Sequence, residues 1–149
     1  MEVSRAIVLM GLQASGKSTF YRQRFTDCVH INLDTLHTRN KERLLLQECL
    51  EAGRPFAVDN TNLTAADRAV YIRAAREYGY RVEGYFLQSV LADCMERNRS
   101  RTGKARVPDV ALLGSCRRLE LPSAEEGFDR LYFVRTEKGT FTVEPWREG

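Results

Sequence analysis

The sequence predicts an α/β protein, a three-layer α/β/α sandwich built on a mainly parallel five-stranded sheet. Two observations carry this. Five short apolar runs recur at Ala6–Met10, Val29–Leu33, Phe56–Asp59, Val82–Leu87 and Leu131–Val134, and helical patterns separate them. The runs are continuous rather than alternating, as strands must be when helices cover both faces of a parallel sheet.

Taken in order, the first run ends in a Gly-rich loop, and a helix is expected to start at Lys17 or Ser18. A second helix, Arg39–Ala52, carries Leu45, Leu46, Cys49 and Leu50 on one stripe and stops at Gly53. A third opens with a capping box, Thr64-Ala65-Ala66-Asp67, and ends at Gly79. Helices near Leu91–Asn98 and Val110–Leu119 follow. The tail reads as a hairpin of Leu131–Thr136 and Thr140–Glu144, turning at Lys138-Gly139. No repeat or linker interrupts the chain, and 149 residues suit one domain spanning 1–149.

With 43% hydrophobic and 29% charged residues, the chain is neither a disordered tail nor a membrane protein. No apolar run approaches the roughly 20 residues of a bilayer span, and Ala6–Met10 is too short for a signal-peptide core. The expectation is a soluble cytoplasmic protein with no evident obligate protein partner. Cys28, Cys49, Cys94 and Cys116 are scattered, with no Cys-x-x-Cys and no zinc spacing, and read as ordinary thiols. The net charge of +3 is uneven: Met95–Arg118 holds seven basic residues against two acidic ones. That is either a solvated helix face or a local attraction for phosphates.

Gly11-Leu12-Gln13-Ala14-Ser15-Gly16-Lys17-Ser18 matches G-x-x-x-x-G-K-[ST] between a strand and a helix. Glycines let successive N–H groups turn toward phosphates, and the helix N-terminus adds its dipole. Lys17 would reach the β- and γ-phosphates of ATP, and Ser18 would ligate Mg²⁺, with Thr19 adjoining. The fold is expected to bury none of the Lys17 charge. The loop makes this a P-loop NTPase fold.

Other residues decide what becomes of the γ-phosphate. Asp34 follows the second strand at the carboxyl edge of the sheet, as a helix N-cap, a loop residue, or the carboxylate that takes a proton from an attacking hydroxyl. Asp59 closes the third strand, where a carboxylate can hold Mg²⁺ through water. Asn60, Thr61 and Asn62 bond either a ligand or their own loop. Arg97 and Arg101 are i,i+4 neighbours, expected on one helix face, and Arg99-Ser100-Arg101-Thr102-Gly103-Lys104 leaves that helix as an arginine-bearing lid able to close over the γ-phosphate. Trp146 either packs on the sheet or stacks on a base.

The phosphate loop, Asn32-Leu33-Asp34-Thr35-Leu36, Val58-Asp59-Asn60-Thr61-Asn62, the Arg-Asn…Arg lid and Pro122-Ser123-Ala124-Glu125-Glu126-Gly127-Phe128 together resemble the 5′-kinase domain of polynucleotide kinases, in order and over nearly the whole chain. The resemblance implies that Asp34 is the general base, that Lys17 and Ser18 hold ATP·Mg²⁺, that Arg101 is the lid arginine, and that the acceptor is the 5′-OH end of DNA or RNA. Two departures stand out. Where some relatives carry a phosphate-gripping arginine three residues after the base, this chain has His37, with Arg39 nearby; and where relatives are often fused to a phosphatase or ligase domain, these 149 residues read as a kinase domain alone. Related small P-loop kinases phosphorylate nucleoside, sugar or aminoacyl-tRNA hydroxyls, and a regulatory nucleotide-binding module is the reading from another class.

Overall fold

The structure, a computed structural model, describes residues 3–137 and 139–148. Strands β1 (Arg5–Met10), β2 (Val29–Ile31), β3 (Phe56–Asp59), β4 (Arg81–Leu87), β5 (Arg130–Glu137) and β6 (Thr140–Pro145) alternate with helices α1 (Lys17–Arg24), α2 (Leu33–Leu36), α3 (Arg39–Ala52), α4 (Ala65–Glu77), α5 (Leu91–Arg99) and α6 (Asp109–Arg118). The strands form one sheet in the order β2-β3-β1-β4-β5-β6. The first five are parallel and β6 returns antiparallel against β5. The sheet therefore has six strands rather than the expected five, because the second arm of the tail hairpin joins it. Lys138, in the predicted turn, lies outside the described residues.

Each face has its own core. Ala6, Val8 and Met10 of β1 meet Leu46, Cys49 and Leu50 of α3 and Tyr71, Ile72 and Ala75 of α4. Ile7 and Leu9, one step along the pleat, pack with Phe20 of α1, Phe25 and Tyr85 on the other side. A third, smaller cluster of Leu12, Leu63, Cys94 and Leu112 ties α5 and α6 to the phosphate loop. Trp146 lies against Phe86 and Phe133 at 5.6 and 6.2 Å between ring centres, so of its two readings the structure has it packed on the sheet. All four cysteines are unpaired.

Helix α4 also carries a fully buried arginine. Arg68 donates to the carbonyls of Asn62, Leu63 and Glu120, and its fork meets the Glu126 carboxylate at 2.7 and 3.1 Å. The chain after β3 and the stretch before β5 are thereby joined through one guanidinium.

The second strand is shorter than the sequence suggested. It stops at Ile31, because Asn32 takes an extended conformation and its side chain accepts from Thr35 N–H, capping the single turn α2. Asp34 sits in that turn. After β1 the chain visits the far edge at β2, returns through β3 beside β1, and crosses to β4 on the opposite flank. This change of direction opens a crevice at the carboxyl ends of β1 and β3, where ligands of such sheets bind.

Candidate active site

The loop from Gly11 to Ser18 fills that crevice and is held from several sides. Gly11 N–H donates to Thr61 O (3.0 Å), Leu12 N–H to the Ser89 hydroxyl (3.0 Å), and Arg97 Nη1 to Ala14 O (3.0 Å). Gln13 Nε2 reaches Ser115 of α6 at 3.0 Å. Gly11 and Gly16 have φ of +147° and +101°, and a Cβ on Gly11 would lie 2.8 Å from Ser15 Oγ. The conformation therefore requires glycine. Helix α1 starts at Lys17 with no side chain capping it, which leaves its first N–H groups for an anion.

Lys17 departs from expectation. Its side chain is buried, and Nζ donates to the carbonyls of Gly11 (3.0 Å) and Leu12 (2.8 Å). Burial pulls the ammonium down to about 8, with Asp59 opposing. The loop wraps the charge instead of leaving it in solvent.

Ser18 and Asp59 meet as well. The Ser18 hydroxyl donates to Asp59 Oδ2 at 2.6 Å, and His30 Nε2 lies 2.7 Å from the same oxygen. Burial alone would raise the Asp59 carboxyl, but the bonds to His30 and Ser18 and the charge of Lys17 hold it below the usual range. His30 is itself stacked on Tyr21, ring centres 4.0 Å apart. An alcohol beside an ionised carboxylate is an all-oxygen donor pair that suits Mg²⁺. Among the described residues no group of three or more His, Cys, Asp or Glu could form a self-sufficient metal site.

Lys17, Ser18, Asp59, Asp34, Asn60, Thr61, Arg39, Arg101 and Lys104 line one cleft of about 280 Å³, together with Gln13, Ala14 and Asn32. Asp34 is exposed to it. Asn60 serves the scaffold, its Oδ1 accepting from Leu33 N–H (2.9 Å) and its Nδ2 donating to Glu42 (2.8 Å). Asn62 is buried and turned away, donating to Leu9 O at 2.7 Å with φ of +47°. His37, also a substrate candidate, caps α2 at φ 72° and does not line the cleft. Thr19 is exposed and accepts from Arg22.

The two lid arginines are not on one helix face. Helix α5 ends at Arg99, so Arg97 stays on the helix against the phosphate loop while Arg101 lies past its end, on the cleft wall. The excursion from Arg99 to Arg106 is closed at its base by Asn98, a buried side chain that donates to Val107 O (2.7 Å) and accepts from Val107 N–H (3.0 Å). Inside it, a 3-10 turn at Gly103–Ala105 lets Ala105 O accept from Arg101 (3.3 Å).

His30, Ser89, Asn98 and Glu42 carry no assigned role in the sequence pattern. His30 pairs with Ala57 in the β2–β3 register and so shares a sheet face with Asp59, a relationship that appears only once the strands pair. The others act through loops whose paths periodicity does not describe.

The AAA_33 family model, described as an AAA domain, matches residues 7–122. The bifunctional polynucleotide phosphatase/kinase of Schizosaccharomyces pombe is 29% identical over 132 residues, which is 85% of this chain and 32% of that protein. The chain thus spans about a third of this curated relative. Among solved structures, a sugar kinase from Janibacter aligns with a TM-score of 0.64 at 18% identity, covering 89% of this chain and 85% of that one. Kti12 of Chaetomium thermophilum, in complex with ADP-AlF3, aligns at 0.66 with 17% identity, covering 87% and 88%. The fold is that of P-loop kinases.

Proposed function

The chain belongs to the AAA domain family whose model it matches, and we propose that it transfers the γ-phosphate of ATP to the 5′-hydroxyl end of a polynucleotide. One observation carries the phosphotransfer: Asp34 shares a single cleft with Lys17, Ser18 and Arg101. A carboxylate on that wall can orient an attacking hydroxyl and take its proton. Lys17 neutralises charge on the β- and γ-phosphates, and Arg101 stabilises the charge that grows as the phosphoryl group leaves. Ser18 and Asp59 would hold Mg²⁺, which when bound neutralises phosphate oxygens. Closure of the Arg99–Arg106 excursion would keep water from competing with the acceptor.

Two things support the polynucleotide acceptor. The S. pombe relative is named a polynucleotide phosphatase/kinase. In addition, Arg39 and Lys104 line the cleft beyond the cations assigned to ATP, as flanking phosphates of a strand would require. A transfer assay with γ-labelled ATP across DNA, RNA, nucleosides, sugars and aminoacyl-tRNA tests the reading. Label on 5′-OH oligonucleotides is expected. Label only on a nucleoside, sugar or aminoacyl-tRNA overturns the acceptor but keeps the kinase, and hydrolysis with no labelled acceptor points to a nucleotide-binding regulator.

A further inference from the structure

We propose that the buried Glu42 carboxylate fixes the amide of Asn60 with its oxygen toward Leu33, and through that bond holds the one-turn helix that carries Asp34. Glu42 and Asn60 are positioning residues for the base. This rests on the reading of Asp34 given above.

Helix α2 has only four residues, too few to hold its own shape. It is fixed by two asparagines anchored at the end of β3. Asn32 caps it and donates to Asp59 O (2.8 Å), while Asn60 Oδ1 accepts from Leu33 N–H (2.9 Å), a first-turn donor with no partner inside the helix. An amide has one accepting and one donating end, so the bond to Leu33 commits Nδ2 to the other side. There it meets Glu42 Oε2 at 2.8 Å.

Glu42 projects from the first turn of α3 and is 5% exposed. Its second oxygen accepts from Tyr71 O–H (2.7 Å) and Arg39 Nη1 (3.1 Å). Burial, and then the Glu42 carboxylate, push the Tyr71 phenol up, so it remains a donor. A carboxylate that accepts from every side leaves Asn60 one orientation. Burying that charge is costly, and packing α3 against α4 calls only for an apolar residue. What the charge adds is a bond chain from Tyr71 and Arg39 through Glu42 and Asn60 to the backbone beside Asp34.

Moving the carboxylate from one end of the Glu42–Asn60 bond to the other tests this. Asn60→Asp alone sets two acceptor-only groups about 2.8 Å apart and is expected to lower kcat, by up to about 10²-fold for a misplacement near 1 Å. The KM for ATP should stay in place, and exchange of the Leu33 amide proton should accelerate. Adding Glu42→Gln restores a donor opposite Asp and should return both kcat and Leu33 protection toward the parent. Parental kcat in Asn60→Asp, no restoration in the double variant, or Leu33 exchange indifferent to both changes overturns the proposal. Should Asn60→Asp not fold, the double variant alone decides, since it must fold and work. A parent chain that phosphorylates no hydroxyl defeats the kinase reading instead, and Leu33 exchange still judges the Glu42–Asn60 coupling. Parental activity in Asp34→Asn removes the base, and with it the positioning role.

Discussion

The hydroxyl of Ser18 and the carboxylate of Asp59 are 2.6 Å apart, joining the first turn of α1 to the end of β3. Because His30 holds the same carboxylate oxygen from β2, three elements converge on one oxygen pair. His30→Ala should leave the fold intact and weaken Mg²⁺ binding by roughly 10- to 100-fold, the range for loss of a partner that orients a ligand. Calorimetric titration of Mg²⁺ into the protein with a non-hydrolysable ATP analogue checks this, and unchanged affinity assigns His30 to packing on Tyr21.

Lys17 makes a two-sided prediction. Its ordinary value is 10.5 and burial brings it to about 8. Below about pH 8 folded and unfolded chains both carry the proton, and the burial penalty acts in full. Between about 8 and 10.5 the unfolded chain keeps a proton that the folded chain has released, so stability without nucleotide rises with pH through that window. Lys17→Met should therefore stabilise the nucleotide-free protein, by at most on the order of 3 kcal/mol, while abolishing ATP binding. Urea denaturation at pH 7 reads the first effect and equilibrium dialysis the second; a destabilised Lys17→Met protein contradicts the argument.

With Asp34 as the proposed base, Asp34→Asn should keep nucleotide affinity and slow transfer by roughly 10² to 10⁴. Single-turnover kinetics with saturating ATP separates the two. Collapse of ATP binding would make Asp34 a nucleotide or metal residue instead.

Arg101→Ala should lower kcat far more than it raises the KM for ATP, within the roughly 10³- to 10⁵-fold range of arginine-finger losses. Asn98→Ala, which unties the base of the same excursion, should act in the same direction more weakly. Steady-state kinetics over a grid of ATP and acceptor concentrations resolves both, and an unchanged kcat returns Arg101 to solvent.

Much of this was legible in the sequence because it depends on local periodicity and spacing. Helix α3 runs from Arg39 to Ala52 as its stripe and Gly53 require, and Thr64 caps α4 through a capping box with Asp67. The phosphate loop is readable for the same reason. Asp34 was found by its place after a strand, but not its helix, since one turn has no period. Asn60, Asn62 and Glu42 could not be sorted from sequence: amides and carboxylates look alike in a motif whether they face a ligand or a backbone carbonyl. Burial of Lys17 is likewise a property of how the loop closes, which no single residue encodes.

Of the cations lining the cleft, Arg39 and Lys104 are those the proposed function leaves for a polynucleotide acceptor. Two phosphate contacts at about −0.7 each give a slope of log affinity against log salt near −1.4 for a single strand. Oligonucleotide affinity measured from low to high salt should follow it, and lengthening the strand beyond a few nucleotides should change little. A flat salt response indicates an acceptor without phosphates.

Arg68 bears on how portable this domain is. The segment that matches the family ends at residue 122, yet the carboxylate that answers Arg68 is Glu126, and two strands lie further on. Trimming to the matched segment would strand a guanidinium in the interior with carbonyls for company and no counter-charge, a loss of about 3 to 5 kcal/mol where buried pairs are broken. A transplant into a fusion protein has to carry the chain through β6, because what can be recognised by its letters is shorter than what can fold.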